Sequence, residues 1–391
     1  MKIGFLIEQD FINKHFGVRN FFTTIKKSLS LVHETEYITC VKTHSGNTWY
    51  RCLPSEENID IKTCWVNLEQ GKITSADFRK ATVFENDYPY KKQYYYFQYL
   101  GQDIASENYD IIIITNPWLV DLDINISAKK IIGLVYDFVA NTYYLQDKCE
   151  IGFSNQHYIG YKFFNKVCSK ILTDSNEIKN QYEVFFKIEK NKVDYLKPFL
   201  PYEFKDAYFS DSDKKENAII LAAPFDLRKG LKKIPGILNF IKNEFDILYI
   251  FGMPRCLDSD FNEFWNQLNV KNIKYAPRIS YSDLIELYKK SKFLLFPSLE
   301  EGLGIPILEA QACGCRVITT NAAPMKDLIV DGAYLLTGDL KIDGLKIKEM
   351  LHENFDYKLL SMKSKERFSY EDIFVKVTGE NRDAQYNVIN F

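Results

Sequence analysis

Two glutamates eight positions apart, Glu301 and Glu309, stand in a stretch that runs from Phe296 to Asn321 and also holds Gly302, Gly304 and Pro306. Phe293–Phe296 reads as a buried strand that ends at Pro297, followed by a loop with Glu300, Glu301, Gly302 and Gly304. Pro306 then opens a helix, where a missing N–H costs nothing. Glycines let a backbone approach a ligand and expose its N–H groups. A helix N-terminus favours an anion by about 0.3–1 kcal/mol. A carboxylate at the same place repels phosphate and accepts hydrogen bonds from hydroxyls. Glu309 lies two turns along the helix, on roughly the same face as the loop, and offers a second acceptor. Together these call for a ligand with an anionic part and a hydroxyl-rich part, as in a sugar nucleotide. The bland alternative makes both glutamates solvated helix charges.

The elements that would position this loop alternate regularly. Ile3–Ile7, Asp110–Thr115, Lys130–Val135 and Lys170–Asp174 are short β-branched runs suited to strands buried on both faces. Helical stretches such as Val18–Leu31 and Ile159–Val167 fall between them. The alternation restarts with Ala218–Ala222, Ile247–Phe251, Phe293–Phe296 and Arg316–Thr319 as strands. Ile234–Asn243, Phe261–Leu268, Tyr281–Lys290 and Pro306–Cys313 are the intervening helices, the third capped by Ser280 or Ser282. This is a tandem of two α/β units with parallel sheets. Ligands of such sheets bind beyond the carboxyl ends of the strands, here in the cleft between two units that face each other.

The boundaries follow composition. Residues 1–203 make an N-terminal Rossmann-like domain, 204–216 a polar linker, 217–371 a second Rossmann-like domain, and 372–391 a closing helical segment. The stretch Thr43–Tyr99 is rich in aromatic and polar residues, including Tyr94-Tyr95-Tyr96-Phe97. It reads either as an insertion packed on the sheet or as a surface on which sugar rings stack.

The Phe296–Asn321 string resembles the signature of the retaining GT-B glycosyltransferases, the large group called glycosyltransferase family 4 or glycosyl transferases group 1. The matching elements are Pro297-Ser298, Glu301-Gly302-Leu303-Gly304-Ile305-Pro306, Leu308-Glu309-Ala310, Ala312-Cys313-Gly314 and Val317-Ile318. The resemblance implies a GT-B fold, with residues 1–203 as acceptor domain and 217–371 as donor domain. It implies transfer of a hexose-type sugar from a nucleotide-diphosphate sugar to a hydroxyl, with retention. Glu301 would hold donor-sugar hydroxyls and Glu309 the ribose, and Gly302, Leu303 and Gly304 would turn backbone toward the donor. Lys229-Gly230 matches a second family element whose lysine neutralises the diphosphate. The family's arginine position holds Pro224, which leaves Arg228 to supply that charge. Arg278, after a short strand at Ile273–Tyr275, stands where the base-binding loop lies. Gly17 is what remains of the family's Gly-Gly loop. Tyr136-Asp137 stands where the family has His-Asp, so that Tyr136 is either a substitute sugar contact or packing. Phe368–Phe374 resembles the family's closing helix, which returns to the first domain.

Composition bounds the rest. Net charge is −2 in 391 residues, which gives no footprint for nucleic acid. Eight cysteines without a Cys-x-x-Cys pair, and five histidines, give no zinc site and suit a reducing cytoplasm. Asp121-Leu122-Asp123 and Asp211-Ser212-Asp213 fall in loop and linker, so neither a metal nor another cofactor is expected. No apolar run is long enough to span a bilayer. The expected location is cytoplasmic, with room for peripheral contact with the inner face of the membrane. The expected acceptor is a glycan or lipid-linked hydroxyl in bacterial surface polysaccharide synthesis. Loss of the usual arginine and histidine motivates the competing expectation of a non-catalytic sugar-nucleotide-binding partner in a larger assembly.

Overall fold

The computed structural model describes residues 1–8, 16–43, 46–53, 63, 65–69, 98–99, 109–124, 126–142, 151–188 and 191–379. The chain divides into two compact units, one drawn from 1–58, 94–202 and 369–391 and the other from 59–93 and 203–368.

The first unit is built on strands β1 (Lys2–Leu6), β2 (Glu34–Thr43), β3 (Gly46–Leu53), β5 (Gln98–Tyr99), β6 (Tyr109–Ile114), β7 (Ala128–Val135), β8 (Lys170–Thr173) and β9 (Val193–Tyr195); β4 (Val66–Glu69) belongs to the second unit. The sheet order is β5-β3-β2-β1-β6-β7-β8-β9. From β2 to β9 all neighbours run parallel, while β3 pairs antiparallel with both β2 and β5. The expected strands lie at β1, β6, β7 and β8. Their isoleucines and leucines are buried because crossover helices cover both faces. The helix expected from Ile159 starts eight residues earlier and spans Ile151–Val167.

The closing helix Glu371–Thr378 belongs to this first unit. Two lysines from the sheet donate to its last carbonyls, Lys130 Nζ to Val377 O at 2.6 Å and Lys170 Nζ to Lys376 O at 3.2 Å. Cations at a helix C-terminus satisfy orphan carbonyls and oppose the macrodipole. Burial, and then the charge of Lys170, pull the Lys130 ammonium below the ordinary lysine range. Asp194 receives both Lys376, at 2.6 Å, and Lys170, at 3.5 Å.

The second unit comprises β10 (Glu216–Ala222), β11 (Ile247–Phe251), β12 (Asn272–Ala276), β13 (Ser291–Phe296), β14 (Arg316–Thr320) and β15 (Tyr334–Leu336), with β4 on one edge. The order is β15-β14-β13-β10-β11-β12-β4. All pairs are parallel except β12 with β4. Counted from β10, the parallel strands follow the 3-2-1-4-5-6 order of a dinucleotide-binding sheet, with its switch point between β10 and β13. On one face Phe225 packs its ring against Phe261, Phe264, Trp265 and Tyr275, with centroids 4.9–6.0 Å apart.

Two stretches differ from expectation. Part of the Thr43–Tyr99 segment supplies β3, β4 and β5, and the aromatic run Tyr94–Phe97 lies outside the described residues. The polar stretch 204–216 is anchored on the second unit rather than solvated along its length. Phe204 is fully buried against the rings of Tyr281 and Tyr288. The Phe209 N–H donates to Ser361 Oγ at 3.1 Å, and Lys215 Nζ donates to the carbonyls of Tyr288 and Ser291. Irregularly spaced anchors of this kind leave no periodic signal in the sequence.

Candidate functional site

At the switch point, the loops that leave β10 and β13 lie side by side. After β10 the chain makes a short 3-10 turn, Leu227–Lys229, capped by Asp226, whose carboxylate accepts from the Arg228 N–H at 2.9 Å. Gly230 closes the turn at φ 77°, and an added Cβ there would sit 2.3 Å from the Pro297 carbonyl oxygen. Only glycine gives both the left-handed backbone and this close approach. The Leu299 N–H donates to the Arg228 carbonyl at 2.8 Å, so the two loops are hydrogen-bonded main chain to main chain.

Side chains complete the join. Arg228 Nη1 donates to the Glu300 carbonyl at 3.0 Å and lies 3.4 Å from a Glu301 carboxylate oxygen. Its Nη2 is 3.5 Å from Asp226. Lys229 Nζ donates to the other Glu301 oxygen and lies 5.1 Å from the Phe296 ring centroid. Arg228 is 9% exposed and Glu301 8%, so these charges are held away from bulk water. Burial alone would raise the Glu301 carboxyl, but Lys229 and Arg228 hold it below the ordinary glutamate range. Burial pulls the Lys229 ammonium down against the pull of Glu301. Glu301 is therefore the shared anion of two cations, and the reading as a solvated helix charge does not describe it.

Gly302 and Leu303 form a buried bend, and Gly304, at φ 95°, stands at the N-cap of the helix Ile305–Ala312. Pro306 sits in the first turn of that helix. Glu309 lies within it, 5% exposed, and accepts from the Tyr288 hydroxyl at 3.4 Å. Burial, offset in part by that hydroxyl, pushes its carboxyl up to about 8. Glu309 is thus not joined to the Glu301 network by any hydrogen bond or ion pair described, and faces Tyr288 instead. Arg278 is half-buried just past the end of β12.

Three further expected site residues belong to the first unit. Gly17 is exposed in the first turn of the helix Phe16–Leu29. Tyr136 and Asp137 follow β7. The Tyr136 hydroxyl donates to the Thr115 carbonyl at 2.7 Å and its ring meets Phe21 edge-on at 5.4 Å, which is the environment of a packed side chain. The Asp137 carboxylate accepts from the Val139 N–H at 3.0 Å, ahead of the short helix Val139–Thr142. Among the described residues no group of three or more His, Cys, Asp or Glu could hold a metal ion.

Asp226 belongs to the site although no sequence motif marks it. The available signal was an aspartate two residues before Arg228, a spacing at which its side chain caps a turn. Tyr288 gave no signal at all.

The loop pair lies inside residues 206–371, which match the family model described as glycosyl transferases group 1. That stretch is similar to the domain the group 1 glycosyltransferases share. Among curated proteins, the O-antigen chain mannosyltransferase RfbU of Salmonella typhimurium is 23% identical over 181 residues, 44% of this chain and 48% of its own length. An Escherichia coli O-antigen chain mannosyltransferase B is 36% identical over 63 residues, 16% of either chain. The chain spans about half the length of the first curated relatives it matches. Among solved structures, WaaG, a glycosyltransferase involved in lipopolysaccharide biosynthesis, has a TM-score of 0.58 at 14% identity, covering 97% of this chain and 100% of its own. Anabaena HepE in complex with UDP-glucose has a TM-score of 0.61 at 12% identity, covering 97% and 98%. The fold class is accordingly GT-B, with two Rossmann-like parallel sheets.

Proposed function

We propose that this chain is a glycosyltransferase that moves a hexose-type sugar, with retention, from a nucleotide-diphosphate sugar to a hydroxyl of a glycan or lipid-linked acceptor in surface polysaccharide synthesis. The observation that carries the reading is the pairing of Glu301 with Lys229 and Arg228 at the switch point of the second sheet. A carboxylate for sugar hydroxyls and two cations for a diphosphate are what a sugar nucleotide needs from one place. In the reaction the bond between the sugar C1 and its phosphate oxygen breaks as a bond from C1 to the acceptor oxygen forms. The acceptor proton passes to the departing diphosphate. Arg228 and Lys229 stabilise the charge that develops there. The chemistry calls on no metal. The O-antigen assignments of the relatives support the setting.

A thermal-shift screen across UDP-, GDP-, ADP- and dTDP-sugars identifies the donor, because a specific ligand stabilises by mass action. Release of the nucleoside diphosphate on adding acceptor then measures turnover. Binding without release under any acceptor defeats the enzyme and leaves a sugar-nucleotide-binding partner.

A cytoplasmic location with contact at the inner face of the membrane belongs to the same proposal. No described helix is long and apolar enough to cross a membrane. The helices Ile151–Val167 and Asn176–Phe186 expose Tyr158, Ile159, Val184 and Phe185. Lys162 lies over the Tyr158 ring at 4.6 Å. Pelleting with anionic but not zwitterionic vesicles supports this contact, and failure to pellet with either removes it.

A further inference from the structure

Glu301 has two roles that compete for the same charges. In the structure it is the counter-ion of Lys229 and Arg228. In the function proposed above, on which this inference rests, those cations meet the diphosphate while Glu301 accepts from the sugar. Two anionic partners cannot both take the full charge of one ammonium group in a buried site.

We propose that Glu301 is an exchangeable internal anion that makes the site prefer a sugar-bearing diphosphate over a bare one. The donor draws Lys229 away from Glu301 and compensates the carboxylate with hydrogen bonds from its sugar hydroxyls. Once the sugar has been transferred, that compensation is gone. Glu301 then competes with the nucleoside diphosphate for Lys229 and Arg228 and favours its release.

The local charges are balanced to permit this. Asp226 and Glu301 stand against Arg228 and Lys229. Asp226 is committed to its turn through the Arg228 N–H. The Glu301 carboxylate is held by the two cationic side chains, and the loop that carries it is held separately. Arg228 donates to the Glu300 carbonyl, and the Leu299 N–H donates to the Arg228 carbonyl. The carboxylate can therefore change partners while the loop stays in place. A residue that served only to hold sugar hydroxyls would have no effect on a ligand without a sugar.

The test is calorimetric titration of the full chain with inorganic diphosphate, in wild type and Glu301→Gln. Removing the internal anion should tighten binding about ten- to hundred-fold, the span of one charge-assisted hydrogen bond. The gain should vanish in the Glu301→Gln, Lys229→Ala double variant. Should Glu301→Gln not fold, Glu301→Asp shortens the reach by one methylene and should show the same direction with a smaller gain. Equal or weaker diphosphate binding in the folded variant overturns the exchange, and so does a gain that survives loss of Lys229. Turnover of sugar nucleotides by wild type is read separately. A wild type that transfers sugar, with no tightening in the variant, leaves the function standing and removes only the exchange.

Discussion

Arg228 donates to the main-chain carbonyl of Glu300 at 3.0 Å, and thereby fixes the β10 loop to the β13 loop one residue before Glu301. The same guanidinium reaches Asp226 and Glu301, which a planar fork can do and a single ammonium cannot. Arg228→Lys should therefore behave as a loss despite conserving charge. Transfer, read as kcat/KM, should fall about ten- to hundred-fold, the equivalent of one or two charge-assisted bonds. Wild-type kcat/KM in Arg228→Lys would mean that charge alone matters at this position.

Gly230 allows the two loops to approach. Gly230→Ala combines a left-handed backbone with a Cβ 2.3 Å from the Pro297 carbonyl oxygen, so the turn must move. Strain of this kind costs about 1–3 kcal/mol, and the movement carries Lys229 with it. The expected outcome is a lower Tm together with loss of stabilisation by nucleoside diphosphates. An unchanged Tm and unchanged ligand response would show that the loops tolerate separation here.

Much of this arrangement was legible in the sequence, for reasons that differ by element. β1, β6, β7, β10 and β13 are short apolar runs because parallel strands are covered on both faces. β2 carries no strand signature, since Glu34–Thr43 mixes charged and apolar residues without a clean run. The glycine loop and Glu301 were legible because residues 296–321 carry local geometry and chemistry in one continuous string. The pairing of Glu301 with Arg228 was not, because it joins positions 73 apart through the strand order of the sheet. Glu309 carried the right spacing for the site, but its contact with Tyr288 depends on how two helices pack.

Glu309 should leave a mark on the pH dependence of stability. Its carboxyl is raised to about 8 in the folded chain, chiefly by burial, against an ordinary value of 4.5. The folded state therefore holds the proton more tightly than the unfolded state does. Below pH 4.5 both states are protonated and there is no penalty. As pH rises from 4.5 toward 8 the unfolded state gains by ionising, and stability declines across that window. Glu309→Gln removes the titration. Its Tm should gain on wild type between pH 5 and 8 by more than about 4 °C, given roughly 2–4 °C per kcal/mol for a unit of this size. Parallel Tm curves for the two proteins would show that Glu309 stays ionised.

Lys130 and Lys170 predict how the closing helix is held. Each donates to a carbonyl at the end of Glu371–Thr378, and Lys130 does so from a partly buried site between the sheet and the helix. Lys130→Met keeps most of the apolar stem but leaves the Val377 carbonyl without that donor, at a cost of about 1–3 kcal/mol. Because the lost bond lies at one helix end, the effect should be local. Amide hydrogen exchange should accelerate in residues 371–378 while the strands β6 and β7 keep their protection. The effect of Lys170→Met should not simply add to it, since the charges of Lys170 and Lys130 act on each other at the same helix end and their contributions are coupled. Exchange that rises equally across the whole first unit would instead mean that the helix is part of its cooperative core and that the two lysines do not set its attachment.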